Sequence, residues 1–378
     1  MGKRELVLIS VFVLLGIGVY HVTAPPPVPG SDGISVSSIF KSMKREIQGS
    51  RESATADSTQ TVACDPTVRE LRVIIPRTSD LTVTGEDRED VSVELHATAR
   101  GFDQAEAKAA ATATTVKAVR VGDAIVVTLD SSAARALPRN GGMGQMTIVL
   151  KAPRRLTLRI EPHTGPLTAS NLAAADIMGS RGETRLRQFA GRVALTHSGG
   201  ELEIDQVAAL KLSARNSRGS VKQVAGLMAL DANGGNLTIT DIVGPLEIES
   251  RNADLKLDGL KALKVPLRIN SNGGELRISG LRSEARIDGR NSTIEVVMAA
   301  PAPVTIYNVG ALRVTPPPGG YTLDASASEA RITIEDGDIK PSEGPDARAA
   351  GAVRGGGPTI TLRSTRGIIT IGKPLAVK

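Results

Sequence analysis

Apolar and polar residues alternate in short segments along most of the chain, and this period of two predicts β-strands. In each segment the aliphatic side chains fall on one face, and charged or Thr side chains fall on the other. Such segments lie at 202–204, 237–239, 255–257, 276–278 and 294–296. One stretch, rich in Ala, Glu and Lys, departs from this pattern and predicts a helix over residues 102–117. The pattern therefore predicts an all-β protein with one helix.

Each of these strand segments follows a corner of small polar residues, and the corners recur at a nearly constant interval. They begin at positions 197, 216, 233, 252, 272 and 291. A period of about 19 residues held over six corners indicates a repeat fold. Because Asn and Gly tolerate positive φ, we expect them to be structural corner residues. These are Asn216, Asn233, Gly234, Gly235, Asn252, Asn272, Gly273, Gly274 and Asn291.

The repeat predicts a right-handed parallel β-helix, a solenoid in which coils of about 19 residues stack roughly 4.8 Å apart. An antiparallel β-meander sandwich is the alternative, since Asn-Gly between alternating segments also favours hairpins. The double glycine occurs only at alternate corners (199–200, 234–235 and 273–274), so a full period of about 37 residues also stays open.

The remaining sequence divides into segments of distinct composition. We predict a membrane anchor or signal over 1–24, a Pro/Ser-rich tether over 25–60 and a β-rich cap containing the helix over 61–152. The solenoid repeats are predicted over 153–340, followed by a disordered Ala/Gly/Pro loop over 341–357 and a final coil with the tail over 358–378.

The N-terminus carries the features of an exported protein. An apolar run from Leu6 to Val22 follows Lys3 and Arg4, and this order places the following chain outside the cytoplasm. An uncleaved anchor is one interpretation, because the run is long enough for a thin bilayer. A cleaved signal peptide is the other, since small residues precede position 25, although that position is Pro25. Both interpretations predict the bacterial cell envelope as the location.

The segment at 69–83, the Ala-rich helix and the tandem Asn-Gly-Gly-x-Leu-x-Ile units together resemble a known group of proteins. They are similar to the bacterial adhesin-like β-strand-repeat proteins of unknown function, and to autotransporter-adhesin head domains. The resemblance spans roughly residues 65–372 and implies a β-helix-like domain at the envelope. It implies no catalytic residues.

Composition excludes several functional classes. The chain has no Trp, three Tyr and four Phe, and its single cysteine, Cys64, excludes an intramolecular disulfide. The net charge is +6, but residues 193–337 contain 15 Lys and Arg against 17 Asp and Glu, so the repeats are close to neutral. Without a basic stripe and interleaved aromatic residues, we expect no nucleic-acid partner.

Candidate catalytic and metal-binding residues are not evident. His163 and His197 occupy similar corners two coils apart, too far apart to share a zinc ion, and we expect both to face solvent. The outward carboxylates stand beside Arg or Lys, as on a solvated face. We therefore expect no cofactor, no metal and no enzymatic activity.

These observations predict a membrane-anchored, non-enzymatic β-solenoid that acts as a structural or adhesin-like interaction module. Its partner would be an envelope polymer or protein, and its N-terminal helix would contact the membrane. One alternative is an ectodomain that regulates or senses through a membrane partner. A more remote alternative is a polysaccharide-active β-helix enzyme.

Overall fold

The structure, a computed structural model, describes residues 52–75, 78–130, 143–260 and 266–373. These residues form 25 strands and the single helix α1 (Gln104–Thr112), so the all-β prediction is confirmed for this part of the chain. All the strands belong to one large sheet that contains both parallel and antiparallel pairs.

The strand bounds follow in chain order. The first are β1 (Glu52–Ala63), β2 (Glu70–Ile74), β3 (Asp80–Glu86), β4 (Asp90–Gly101), β5 (Thr115–Val121), β6 (Ala124–Asp130), β7 (Met143–Pro153), β8 (Thr157–Ile160) and β9 (Leu167–Ser170). The next are β10 (Ala174–Ser180), β11 (Thr184–Val224), β12 (Met228–Thr240), β13 (Leu246–Arg251), β14 (Asp254–Asp258), β15 (Leu267–Asn272), β16 (Glu275–Leu281), β17 (Ala285–Arg290) and β18 (Thr293–Met298). The last are β19 (Val304–Val309), β20 (Leu312–Thr315), β21 (Tyr321–Ser328), β22 (Ile332–Ile334), β23 (Asp346–Val353), β24 (Thr359–Thr365) and β25 (Ile369–Ile371).

Two parallel ladders organise the repeat region. The first ladder runs through residues 210–215 of β11, residues 228–233 of β12, and then β13, β15, β17, β19, β24 and β21. The second ladder runs through residues 217–222 of β11, residues 235–240 of β12, and then β14, β16, β18, β20, β25 and β22.

Register partners in both ladders are separated by a short and nearly constant length of chain. From β11 to β19 and β20 this separation is about one coil of the predicted solenoid, as in Leu210 with Met228 and Leu255 with Leu276. Neighbouring strands thus follow the shorter of the two periods left open by the sequence, not the doubled one. All described strand pairs within 157–315 are parallel, which contradicts the antiparallel meander alternative there.

Apolar and polar residues alternate along each strand, so the apolar side chains share one face and form the core. In the first ladder, register brings inward aliphatic residues of successive strands together, for example Leu230, Ile248 and Ile269, each at most 3% exposed. The second ladder does the same with Leu237, Leu255 and others. Burial of these side chains stabilises the fold by roughly 1.5–3 kcal/mol each. Since the sequence has no aromatic residue between β12 and β18, aliphatic side chains supply most of the apolar interior there.

Antiparallel pairs occur on both sides of this region. In the N-terminal part, β1 pairs with β4, β4 with β7 and β5 with β6, and β21 pairs with β23 in the C-terminal part. The helix is shorter than the predicted 102–117. It begins after Asp103, whose side chain accepts a hydrogen bond from the Glu106 N–H (2.8 Å), and β5 starts at Thr115. The β-branched residues after Ala113 favour the strand.

Two predicted irregular segments contain strands. The tether predicted over 25–60 is wrong from Glu52 onwards, because Glu52–Ala63 forms β1 and pairs with β4 along its whole length. The disordered loop predicted over 341–357 is also wrong, because Asp346–Val353 forms β23. There, Ala347 and Ala349 are each 2% exposed, and such small side chains give little hydrophobic contrast in sequence.

The last strands along the chain are not at the end of the ladders. β24 pairs with β19 on one side and with β21 on the other, and β25 lies in the same way between β20 and β22. The segment 359–371 is thus inserted between strands that precede it in sequence.

The predicted anchor (1–24) and the first part of the tether lie outside the described residues. Across the described ranges, no helix has the length and apolarity that crossing a membrane requires.

Candidate functional site

The outward face of the first ladder carries polar residues in continuous rows, because parallel register places equivalent positions side by side. The row nearest the corner consists of Arg215, Asn233, Arg251, Asn272 and Arg290, and we call it the arginine row. Each arginine lies two strands from the next, with an asparagine on the strand between. The three arginines are exposed, and within the described part of the chain they form no ion pair with a carboxylate.

A second row, called the middle row, lies two residues before the arginine row on each strand. It comprises Asp231, Glu249, Asn270, Asp288 and Tyr307. Asp231 and Glu249 are exposed register partners on neighbouring strands. Asp288 instead binds Arg286 of the same strand, with 3.0 Å between Nε and Oδ2. Basic and acidic side chains therefore form two adjacent, parallel lines.

Tyr307 is the register partner of Asp288 in the middle row, and it is the one exposed aromatic side chain among the described residues, at 42% exposure. The Arg286 guanidinium lies over its ring, 5.5 Å from the ring centroid. Arg251, Asn272, Arg290 and Tyr307 line one open groove on this face. An exposed aromatic ring held by a cation beside amides and carboxylates can bind ligands that combine a flat apolar face with polar groups.

The second ladder has a different charge arrangement. Arg277 lies between two carboxylates of its own face, with 2.7 Å from Nη2 to Glu275 and 3.8 Å from Nε to Glu295. In the earlier part of β11, Glu203 similarly accepts from Arg187 at 2.8 Å and lies 3.6 Å from Arg185. Such exposed pairs contribute little stability. The second ladder also carries exposed arginines without an ion pair in the described ranges, Arg218 and Arg313, so the first ladder is distinguished by the alternation of arginine and asparagine along one row.

The predicted corner residues divide into two groups. Asn216, Asn252 and Asn291 adopt positive φ (49°, 51° and 53°), and so do the paired glycines Gly234, Gly235, Gly273 and Gly274 (68° to 86°). Positive φ at these seven positions is the backbone conformation that a sharp turn requires. Asn233 and Asn272 are not among the described residues with positive φ, and they belong to the arginine row instead.

The alternation of corner types has a steric cause. A Cβ at Gly234 would lie 2.4 Å from Oδ1 of Asn216, and a Cβ at Gly273 would lie 2.3 Å from Oδ1 of Asn252. Each asparagine side chain therefore occupies the space above the glycine of the following corner. This arrangement replaces the asparagine ladder that stacked corners would allow.

A second line of corners is not among the corner residues predicted from the sequence. Positive φ recurs at Asn171, Gln188, Gln206, Gln223 and Asp241, and then at Gly259 and Gly280. Each is followed by a buried apolar residue: Leu172, Phe189, Val207, Val224, Ile242, Leu260 and Leu281. This polar-apolar pair, which recurs once in each repeat, was the sequence feature that could have located the corner. Glutamine rarely adopts positive φ, so residue type alone did not reveal it.

The histidine prediction is wrong. His163 and His197 are 2% and 1% exposed, so both lie inside the fold rather than facing solvent. His197 Nδ1 is 2.7 Å from Ser217 Oγ, and its Nε2 is 3.1 Å from the Gly182 carbonyl oxygen. Burial lowers the pKa of both imidazoles, since desolvation disfavours the charged ring.

Cys64 is also buried, at 1% exposure. Within the described ranges, no group of three or more His, Cys, Asp or Glu side chains is placed to hold a metal ion.

Comparison with known proteins gives no family assignment. No family model matches the chain, and no curated protein matches it. Among solved structures, it is similar to a candidate cell adhesion protein from Clostridium sporogenes, with 10% identity and a TM-score of 0.19 over 84% of this chain and 100% of the other.

Two further structures come from Parabacteroides. A candidate adhesin from P. merdae shares 12% identity, with a TM-score of 0.30 over 83% of this chain and 96% of the other. A candidate lipid-binding protein from P. distasonis shares 11% identity, with a TM-score of 0.30 over 67% of this chain and 93% of the other. At these scores the similarities are too low to carry a functional argument, and the function has to be inferred from the surface itself.

Proposed function

We propose that this chain is a non-catalytic binding module of the bacterial cell envelope, tethered through its N-terminus, whose parallel strands stack as a solenoid. The observation that carries the proposal is the outward face of the first ladder. On that face, register aligns unpaired arginines, amides, carboxylates and an exposed tyrosine over consecutive strands. A surface that repeats from strand to strand suits an extended partner better than a compact one.

The pairing pattern supports the solenoid. From β11 to β19 and β20, both ladders advance by nearly the same length of chain from strand to strand, as expected if the chain contributes one strand to each ladder in every coil. The two lines of residues with positive φ fall between these strands, where a coil has to turn.

The open character of the face supports a binding role rather than catalysis. Asp231 and Glu249 are adjacent register partners, the kind of pair that glycosidases use. Both are exposed on an open strand surface, whereas a general acid needs enclosed, apolar surroundings that raise its pKa. The proposed membrane attachment and the envelope location rest on the sequence of residues 1–24.

Co-sedimentation of the purified full-length chain, kept in mild detergent, with isolated bacterial envelopes tests the proposal. We expect the chain to pellet with envelopes, and an Arg286→Ser/Tyr307→Ser variant to pellet less. The control variant, Val119→Ser/Val121→Ser, removes two exposed apolar side chains from β5, which belongs to neither ladder, and should pellet like the wild type. Equal loss in both variants, or no envelope binding by the wild type, would contradict the proposal.

A further inference from the structure

The arginine row has a defined spacing. Neighbouring strands in a sheet lie about 4.8 Å apart, so arginines on alternate strands repeat at about 10 Å. The register pairs Arg215 with Asn233, Asn233 with Arg251, Arg251 with Asn272 and Asn272 with Arg290. The row therefore presents a cation, an amide, a cation, an amide and a cation in a straight line.

This order of groups selects for one kind of ligand. A guanidinium binds a carboxylate through two parallel hydrogen bonds, whereas an amide exchanges hydrogen bonds with neutral hydroxyl or acetamido groups. A matching linear ligand bears a carboxylate at every second unit and neutral polar groups at the units between. In an extended polysaccharide, each sugar ring advances the chain by about one strand spacing, so alternate sugars match alternate strands.

The charges of the middle row narrow the choice of ligand class further. Asp231 and Glu249 lie two residues from Asn233 and Arg251 and form no ion pair within the described ranges. Carboxylates accept hydrogen bonds from sugar hydroxyls but repel a densely charged polyanion. A nucleic acid, with a charge at every unit, therefore fits this face poorly. Tyr307 offers an exposed ring against which a sugar can pack.

We infer that the arginine row, with the adjacent middle row, binds a linear acidic polysaccharide that carries one carboxylate on every second sugar. This inference names the partner class of the binding module proposed above and rests on that function. Arg215, Arg251 and Arg290 bind successive carboxylates, and Asn233 and Asn272 contact the neutral sugars between them.

Binding of labelled hexasaccharides to the full-length chain, measured by fluorescence anisotropy, tests the inference. The probes are a hyaluronan hexasaccharide (carboxylates on alternate sugars), chitohexaose (none), hexagalacturonate (one on every sugar) and hexathymidylate as a nucleic-acid control. We expect the hyaluronan fragment to bind most tightly. Equal or tighter binding of chitohexaose, hexagalacturonate or hexathymidylate would overturn the inference.

Substitutions of the arginines test whether the arginine row is the binding surface. Arg215→Gln, Arg251→Gln and Arg290→Gln should each weaken hyaluronan binding roughly threefold, and the triple variant about 30-fold, the range expected for exposed ion pairs. The control triple, Arg185→Gln/Arg187→Gln/Arg277→Gln, removes the same net charge from exposed arginines that are already paired. It should bind nearly as the wild type does. Similar losses in both triples would show a general charge effect and overturn the inference.

The envelope assay separates this inference from the proposed function. If the wild type pellets with envelopes but does not bind the hyaluronan fragment, the inference fails and the binding module stands. If the arginine-row triple loses both activities while the control triple keeps both, the row is the working site. Circular dichroism of each variant confirms that the strands remain folded.

Discussion

Single residues at the corners determine how closely successive strands approach. Gly235 has a φ of 86°, and a Cβ there would lie 2.1 Å from the Ser217 carbonyl oxygen, which is backbone and cannot move aside. Gly199 has a similar φ of 74°, but a Cβ there would have no atom within 4 Å. Substitutions at these two glycines therefore distinguish the cost of backbone strain from the cost of steric overlap.

We predict that Gly199→Ala lowers the free energy of unfolding by about 1 kcal/mol, the cost of positive φ for an L-residue. Gly235→Ala should cost about 1–3 kcal/mol more, because overlap with backbone forces the strands apart. Urea unfolding followed by circular dichroism measures both. Equal effects would mean that the close approach at Gly235 does not exist.

The buried histidines predict a loss of stability in mild acid. Their folded pKa values lie below the ordinary 6.5, so below about that pH the unfolded chain binds protons that the folded chain does not. Stability should therefore be complete above pH 6.5 and fall as the pH drops toward the folded pKa values. The Asp65 carboxyl, whose pKa the hydrogen bonds from Thr67 lower to about 2, titrates well below this range.

We expect the urea midpoint of the wild type to fall between pH 7.5 and 5.5. A His163→Gln/His197→Gln variant should lose most of this pH dependence, whatever its absolute stability. His96→Gln is the control, because His96 is exposed and pairs with Asp57 at 2.7 Å. An unchanged dependence in the double variant would show that other groups cause it.

The sequence identifies which residue types lie near corners. It does not show whether a given residue turns the chain or lies on a strand. Asn216 and Asn233 look alike in sequence, yet one turns the chain at positive φ and the other lies on a strand beside arginines. The difference depends on register with neighbouring strands, which local composition does not encode. The buried His197 likewise lies 2.7 Å from Ser217, a partner 20 residues further along the chain.

At the scale of elements, one cluster around the buried Asp336 and Tyr321 joins the C-terminal strands. Arg354 follows β23 and donates to both carboxylate oxygens of Asp336, at 2.7 and 2.9 Å. It also donates to the carbonyl oxygens of Pro317 (2.8 Å) and Gly319 (3.0 Å). Tyr321 of β21 donates to the same carboxylate at 3.1 Å, and burial raises the pKa of this phenol, as does the nearby Asp336 charge. The cluster joins β21, β23 and the turns around them.

We predict that Arg354→Gln destabilises the fold by roughly 3 kcal/mol, because it leaves the Asp336 carboxylate, 8% exposed, without its cation. Arg366→Gln is the matched control. Arg366 also has positive φ, and its exposed pair with Glu329 (3.8 Å) should contribute less than about 1 kcal/mol. Chemical denaturation compares the two variants. A small effect at Arg354 would mean that the cluster does not stabilise these strands.

The strands that the sequence predicted are those in which large apolar residues alternate with charged residues. Strands such as β14 and β16 alternate Leu or Ile with charged residues and were predicted at the right places. β23 was missed because it buries alanines, and β1 because only Ala54 of its twelve residues is buried. Both are held by antiparallel pairing with a strand that sequence alone could not identify.

At the scale of the whole molecule, chain order and ladder order differ at the C-terminal side. The segment containing β24 and β25 completes both ladders between strands that are already present earlier in the chain. Its strand-corner-strand pattern predicted a last repeat, and only the pairing shows that β21 and β22 lie beyond it. Pairing residues as far apart in sequence as Thr322 and Thr359 adds non-local contacts, which slow folding.

The same pairing produces the candidate surface. None of its residues is unusual in sequence, since arginine, asparagine and aspartate also fill solvated strand faces elsewhere in the chain. They become a site only through the parallel register that aligns them. Sequence predicts a binding role only in general terms, and the proposed face depends on the parallel register that aligns its charges.

Photo-crosslinking in living cells tests most directly whether the first ladder is the working surface. A benzoylphenylalanine replaces Thr305, on the outward face of the first ladder beside Arg286, or Thr238, on the outward face of the second ladder beside Lys256. Both threonines are half-buried, so the probes are comparably exposed. We predict that irradiation links position 305 to an envelope component and leaves position 238 largely unreacted. Crosslinks from position 238 alone, or from neither position, would contradict the assignment of the first ladder as the binding face.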